Sequence, residues 1–436
     1  MTRLMRKTRG AAAAAVALLA AGCGSAVSVQ QGSGQTPTPT PSAERTAATV
    51  AASPRTFPGG SLPASPLPRA SASSCHGASA VQAENAGTPN AVPALASVEF
   101  VSATRGWVAG AGRVLATADG GRTWQRQYDG AAQLYQVDFT DAAHGWAVGT
   151  AALLATADGG RTWTPLPEPC PLIDSVHFVT SSTGYAVAGG AAVRIDAGVP
   201  VTTSGGELLV TTDGGQTWRL VAGAPAQVQS ACFSNTADGY LGTAGKIWRS
   251  TDGGLSWAPS FTEPPKASGA SVRTGDSPAL ECAGPSAAWA LFLGTGAAMS
   301  HAPYIAYATQ DARTWHVLFE ETYIESASLP EVHAPDGPGT YPGPFSAISP
   351  ARAAFVGWTP PEGFGVAPLD MVTGGTQLAQ RGNVGGLTQA YGAAFVSTQQ
   401  GWVVGTDQTS ASRQGGAAIA ATTDGGRTWV KEYAAG

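Results

Sequence analysis

Short stretches in which apolar and polar residues alternate recur along most of this chain. SVEFV at Ser97–Val101, YQVDFT at Tyr135–Thr140, DSVHFV at Asp174–Val179, QSACFS at Gln229–Ser234 and YGAAFV at Tyr391–Val396 all follow a two-residue period. That is the period of a strand with one buried face. Each is followed by a polar turn ending in glycine and then by a second strand: GWVAG, GWAVG, GYAVAGG, GYLGT or GWVVG. A third strand (RVLATAD, ALLATAD, ELLVTTD, KIWRSTD) runs into a Gly-Gly turn, and a fourth (TWQRQY, TWTPL, TWRLV, SWAPS, TWVKEY) leaves it. Four short strands with turn signals between them predict one antiparallel sheet per unit. Outside the first residues no segment sustains a helical period.

The third turn carries the strongest repeat. TADGGRTW occurs at Thr117–Trp124 and again at Thr156–Trp163, followed by TTDGGQTW, STDGGLSW and TTDGGRTW. Aligned on Asp119, Asp158, Asp213, Asp252, Asp311 and Asp424, the spacings are 39, 55, 39, 59 and 113 residues. The copy at Asp311 is one residue short and lacks both glycines, and the last interval leaves room for a unit without the motif. Seven units between about Ala96 and Tyr433 predict a seven-bladed β-propeller of four-stranded antiparallel blades, an all-β ring with few open sheet edges. Within each box the glycines supply positive φ, the aspartate accepts hydrogen bonds from its own turn, and the Trp five residues on packs beneath the hairpin. The paired residues are Asp119 with Trp124, Asp158 with Trp163, Asp213 with Trp218, Asp252 with Trp257, Asp311 with Trp315, and Asp424 with Trp429. These are read as structural.

The pattern Ser/Thr-x-Asp-x-Gly-x-Thr-Trp resembles the Asp-box, or bacterial neuraminidase, repeat. Joined to the preceding GWAVG strand, it is similar to the photosystem II assembly and stability factor family. The resemblance implies a propeller, and a binding or assembly role as much as an enzymatic one.

The N-terminus changes the picture of where the protein works. Arg3, Arg6, Lys7 and Arg9 precede an apolar run from Ala11 to Ala21, about half of what a membrane span needs. It ends in Leu19-Ala20-Ala21-Gly22-Cys23, which resembles a bacterial lipobox with its Leu one place early. The expected organisation is a signal peptide at 1–22, a lipidated tether rich in Pro, Ser, Thr and Ala at 23–93, and a propeller at 94–436. The resemblance implies lipid on Cys23 and anchoring to the outer face of the bacterial cytoplasmic membrane. Removing the four leader cations takes the net charge from −5 to −9. With only four lysines, nucleic acid is not an expected partner.

Cys23 aside, four cysteines remain, enough for two disulfides in an oxidising compartment. Cys232 and Cys282 occupy equivalent places in consecutive repeats and are expected to pair, leaving Cys75 for Cys170. On the same inner strands Glu99, Asp138 and His177 line up as polar groups of a central channel.

Catalytic chemistry has thin support. A sialidase-like site would need three convergent arginines, a tyrosine with a glutamate, and an aspartate acid–base. Arg122, Arg161 and Arg427 lie inside the boxes, and Glu320, Glu321 and Tyr323 are merely adjacent in sequence. The six histidines show no ligand spacing, and no cofactor is expected. Length variation instead gathers at the end opposite the boxes, in 189–206, 263–278, 320–344 and 406–416. Tyr323, Tyr341, Phe345, Trp358 and Phe364 fall in or near these segments as candidate anchors. The sequence therefore predicts a non-catalytic, monomeric surface propeller that binds a protein or an envelope glycan. The alternative is a glycoside hydrolase with a diverged site.

Overall fold

In the computed structural model the described residues are 92–170, 172–190, 193–194, 201–202, 205–264, 277–294, 301–321, 334–359, 365–407 and 416–435. Among them every regular element is a β-strand. Cys23, Cys75, Tyr323 and Phe364 lie outside the described residues.

Six blade sheets form the ring, and the expected count of seven is corrected by one continuous strand. Sheet 1 has six strands: Ser97–Phe100, Gly106–Thr117, Gln125–Phe139, Gly145–Gly149, Ala152–Thr156 and Thr164–Pro165. Gln125–Phe139 leaves the Asp119 box as an outer strand and runs on to pair with Gly145–Gly149 as an inner one. The link between the first two sequence units, Gly130 to Ala132, is too short to break the strand, so two units share one sheet.

The other five sheets each have four strands. Sheet 2 contains Ile173–Phe178, Gly184–Ala188, Glu207–Thr211 and Arg219–Leu220. Sheet 3 contains Ser230–Phe233, Gly239–Thr243, Lys246–Ser250 and Ala258–Thr262, and sheet 4 Ser277–Gly284, Ala287–Leu293, Tyr304–Thr309 and His316–Glu321. Sheet 5 contains Phe345–Ser349, Arg352–Val356, Pro368–Thr373 and Gln377–Asn383. It lacks a box and turns its last hairpin on Gly374 and Gly375, both at positive φ. Sheet 6, from Gln389–Phe395 to Val430–Ala435, returns to sheet 1: Gln400 Nε2 donates to the Ala103 carbonyl at 2.9 Å. A separate two-stranded ribbon pairs Val193–Arg194 with Val201–Thr202.

Apolar faces of neighbouring sheets interlock to form the core, and one aromatic device recurs between successive sequence units. Trp107 stacks on Phe139, Trp146 on Phe178, Tyr185 on Phe233 and Trp402 on Phe100, with centroids 3.4–3.6 Å apart. The glycine before each of these residues faces the Phe ring of its own unit, where a Cβ would collide with it. The Gly-Trp dipeptide thus clears room for one ring and delivers another to the next unit.

Candidate functional site

The two ends of the ring differ in chemistry. At one end lie the boxes, each a closed set of hydrogen bonds. The Thr156 hydroxyl donates to Asp158 Oδ1 at 2.9 Å, and the Thr162 N–H and hydroxyl reach the same carboxylate at 2.9 and 2.7 Å. Asp119, Asp213, Asp252 and Asp424 repeat this arrangement. At the short box Ala312 takes φ 60° where the others have glycine, and Asp311 accepts from the Arg313 and Thr314 N–H groups. Hydrogen bonds from Thr162 hold the Asp158 carboxyl down at about 2, and those from Thr123 hold Asp119 there too. Arg122, Arg161 and Arg427 each donate to the carbonyl of their own box aspartate. Six carboxylates and three arginines are spread around the rim, bonded within their own turns.

Box tryptophans meet the Phe rings edge-on: Trp124, Trp163, Trp218, Trp257 and Trp429 lie 6.0–6.4 Å from Phe100, Phe139, Phe178, Phe233 and Phe395. Trp315 does the same to Tyr240 at 6.1 Å. Trp218 is buried, and the other five are half-buried.

A belt of side chains ties the inner strands around the axis. Glu99 accepts the Phe139 N–H at 2.7 Å, and Asp138 accepts that of Phe178 at 2.6 Å. The His177 ring bonds the Phe233 carbonyl at 2.7 Å, and Cys232 is disulfide-bonded to Cys282 with Cα atoms 5.5 Å apart. Glu281 accepts the Ala347 N–H at 2.5 Å and Ser346 that of Phe395 at 3.0 Å. At the closing seam the corresponding residue is Ala394, which has no polar group to offer. Burial pushes the Asp138 carboxyl up to about 6, and Glu281 up to about 8 against the pull of its backbone bond. Glu99 is raised as well, by burial first and then by the charge of Asp138. Among the described residues no group of three or more His, Cys, Asp or Glu is arranged to hold a metal ion. Cys170 is buried and disulfide-bonded.

The opposite end carries the connections of unequal length. The tight Ala111-Gly112 turn contrasts with the pairs Gly294/His301 and Asp407/Gly416, which bound segments outside the described residues. Between sheets 4 and 5 this end is well defined. Tyr341 and Trp358 exchange backbone hydrogen bonds, and their half-buried rings lie 4.8 Å apart. Beside them Ala302 N–H donates to the Thr340 carbonyl, and His301 pairs with Glu321 at 2.7 Å. Phe345, expected as an anchor, is instead core: it is 2 % exposed and stacks on Phe355. Sequence reasoning missed Asp174 and Asp370, both fully buried; burial pushes them to about 7 and about 6. The only signal for Asp370 was a charged residue inside an otherwise apolar strand, PLDMVT.

Residues 127–276 match one family model, that of the photosynthesis system II assembly factor YCF48. No curated protein sequence matches the chain. Among solved structures, "YCF48 bound to D1 peptide" is 15% identical, covering 78% of this chain and 96% of that one, with a TM-score of 0.44. YCF48 from Cyanidioschyzon merolae is 15% identical over 72% of this chain and 93% of its own, with a TM-score of 0.46. A structure of U3-55K is 8% identical over 76% and 95%, with a TM-score of 0.50. At 8% identity the likeness to U3-55K is one of fold alone. The resemblance to the YCF48 family rests on the repeat sequence itself.

Proposed function

We propose that this chain is a non-catalytic binding or assembly module, held by lipid on Cys23 to the outer face of a bacterial cytoplasmic membrane. It engages a protein partner through the end of the ring opposite the boxes. The division of labour between the two ends carries this reading. Box carboxylates and arginines are consumed by their own turns, whereas the unequal connections and the half-buried Tyr341–Trp358 pair lie at the other end. The family match over residues 127–276, to an assembly factor, supports the same reading.

Glycoside hydrolysis would need convergent arginines, and those of the boxes are dispersed around the rim. Cross-linking in intact cells, with capture of the mature chain, tests the proposal. A protein recovered reproducibly supports it; recovery of glycan alone contradicts it. Turnover of fluorogenic glycosides, abolished by one substitution at the Tyr341–Trp358 end, also contradicts it. Cys23→Ala should release the protein into the medium, and unchanged membrane association contradicts the anchor.

A further inference from the structure

One covalent bond of the ring has its second sulfur elsewhere in the chain. Cys170 is 2 % exposed and disulfide-bonded. Cys232 and Cys282 are bonded to each other, and the chain has five cysteines. Elimination leaves Cys23 or Cys75 for Cys170, and both precede the ring in sequence.

Cys170 sits at the end of the ring opposite the boxes. Thr164–Pro165 runs away from the Asp158 box along Ala152–Thr156, and the Leu166 N–H donates to the Leu153 carbonyl at 2.8 Å. The link that follows, with Pro167 and Pro169 fixing φ, leads into sheet 2 beside Gly189, whose N–H reaches the Leu172 carbonyl at 3.0 Å. The chain approaches its first strand at the same end. The Ala111 N–H, at the turn away from the boxes, donates to the Pro93 carbonyl at 3.0 Å, and the Ala96 N–H to the Ala109 carbonyl at 2.7 Å. Val92 and Ala96 are buried in one apolar cluster with Leu166, Cys170 and Leu172.

That cluster discriminates between the two remaining sulfurs. With Val92 held in the cluster of Cys170, the segment left to close runs from Val92 back to the second sulfur: 17 residues to Cys75, or 69 to Cys23. Closure probability falls roughly as the three-halves power of length, which favours Cys75 about eightfold. We propose that Cys75 is bonded to Cys170, fastening the N-terminal extension to the partner-binding end at two points, by the peptide chain at Val92 and by sulfur at Cys170. Cys23 is left free to carry lipid. Closing the bond takes one proton and one electron from each thiol; both pairs pass to the disulfide of a thiol–disulfide exchange protein, which leaves as a dithiol. The connection to the anchor then enters the ring through the end that carries Tyr341 and Trp358. This last consequence rests on the lipid-anchor reading above; the bond itself does not.

The test begins with the full mature chain, alkylated, digested without reductant and mapped by mass spectrometry. A linked pair of Cys75 and Cys170 peptides is expected. A Cys23–Cys170 pair overturns the proposal and the lipid anchor together, and recovery of Cys75 as an alkylated thiol overturns the proposal alone. A protease site placed between residues 76 and 91 of the membrane-bound chain then tests the second fastening. After cutting, the wild-type ring should stay on the membrane, whereas the ring of Cys75→Ser should appear in the supernatant at least about tenfold more. Equal release of the two rings overturns the fastening. A linked Cys75–Cys170 pair in a chain never found on the membrane supports the bond and rejects the anchor.

Discussion

The Trp146 indole lies flat on the Phe178 ring, with centroids 3.4 Å apart and planes within 1°, and its Nε1–H donates to the Gly214 carbonyl 3.0 Å away. One side chain of sheet 1 therefore grips both the inner strand and the box hairpin of sheet 2. Trp107 on Gly159, Trp402 on Gly120 and Tyr185 on Gly253 do the same between other sequence units. The box hairpin is thus a receptor for the neighbouring unit, which explains why the boxes recur without any shared chemistry.

Trp146→Ala should therefore cost about 3–5 kcal/mol in urea unfolding, because a nearly fully buried indole and its hydrogen bond are lost together. Trp163→Ala, at a half-buried box position, should cost about 1–2 kcal/mol. Equal losses at the two positions would show that the seam residues carry no special share.

Ionisation of the belt gives a pH signature. Glu281 has an ordinary value of 4.5 and is pushed to about 8 in the fold, so the folded state holds this proton more tightly than the unfolded chain. Its contribution to stability is complete below the unfolded value and is lost as pH rises through the folded one. Asp138 and Asp174 act in the same direction, through about 6 and about 7. Box aspartates act oppositely: Asp158, held at about 2, contributes above its ordinary 3.8 and loses that only in strong acid. Glu281→Gln keeps the acceptor for the Ala347 N–H without the charge. It should match the wild type near about pH 5 and exceed it near about pH 9 in urea midpoint. A lower midpoint for the variant at the alkaline pH would contradict the assignment.

The Cys232–Cys282 disulfide spans 50 residues and joins adjacent inner strands. Replacing both cysteines by serine should cost about 2–4 kcal/mol, measured in denaturant under non-reducing conditions. The difference from wild type should vanish when both are reduced. A difference that persists in reductant would trace the loss to packing around the serines.

Among the described residues, Ala394 leaves the closing seam without the inner-strand side-chain tie found at the preceding seam. Ser346 shows what a hydroxyl does at the preceding seam, accepting the Phe395 N–H at 3.0 Å. Ala394→Ser should raise stability by about 0.5–1 kcal/mol by offering the same bond to Phe100. A loss of stability would mean that the closing seam is too tightly packed around residue 394 to admit an oxygen.

Much of this was legible because the repeat states each strand several times over. The alternation in YQVDFT and DSVHFV placed the inner strands, and Asp-Gly-Gly placed the third hairpin in five units. The sheet count was not legible: Tyr128 to Gln133 reads as a link, yet it is short enough for one strand to continue through it. Glu99, Asp138 and His177 were readable as channel-wall groups, but their partners are backbone atoms 40 to 56 residues further on, which composition does not reveal. Phe345 looked like an anchor because the segment before it is long; the Phe355 ring against which it stacks makes it core. Asp370 escaped notice because a lone charge in a strand usually faces solvent, whereas this one faces the neighbouring sheet.

The most direct test asks which end of the ring meets the partner. A photo-reactive amino acid placed at Tyr341 and, separately, at Arg161 reports on the two ends in living cells. The present account predicts a protein captured from position 341 and nothing above background from position 161. Capture from 161 with silence at 341 would place recognition on the box hairpins and contradict it.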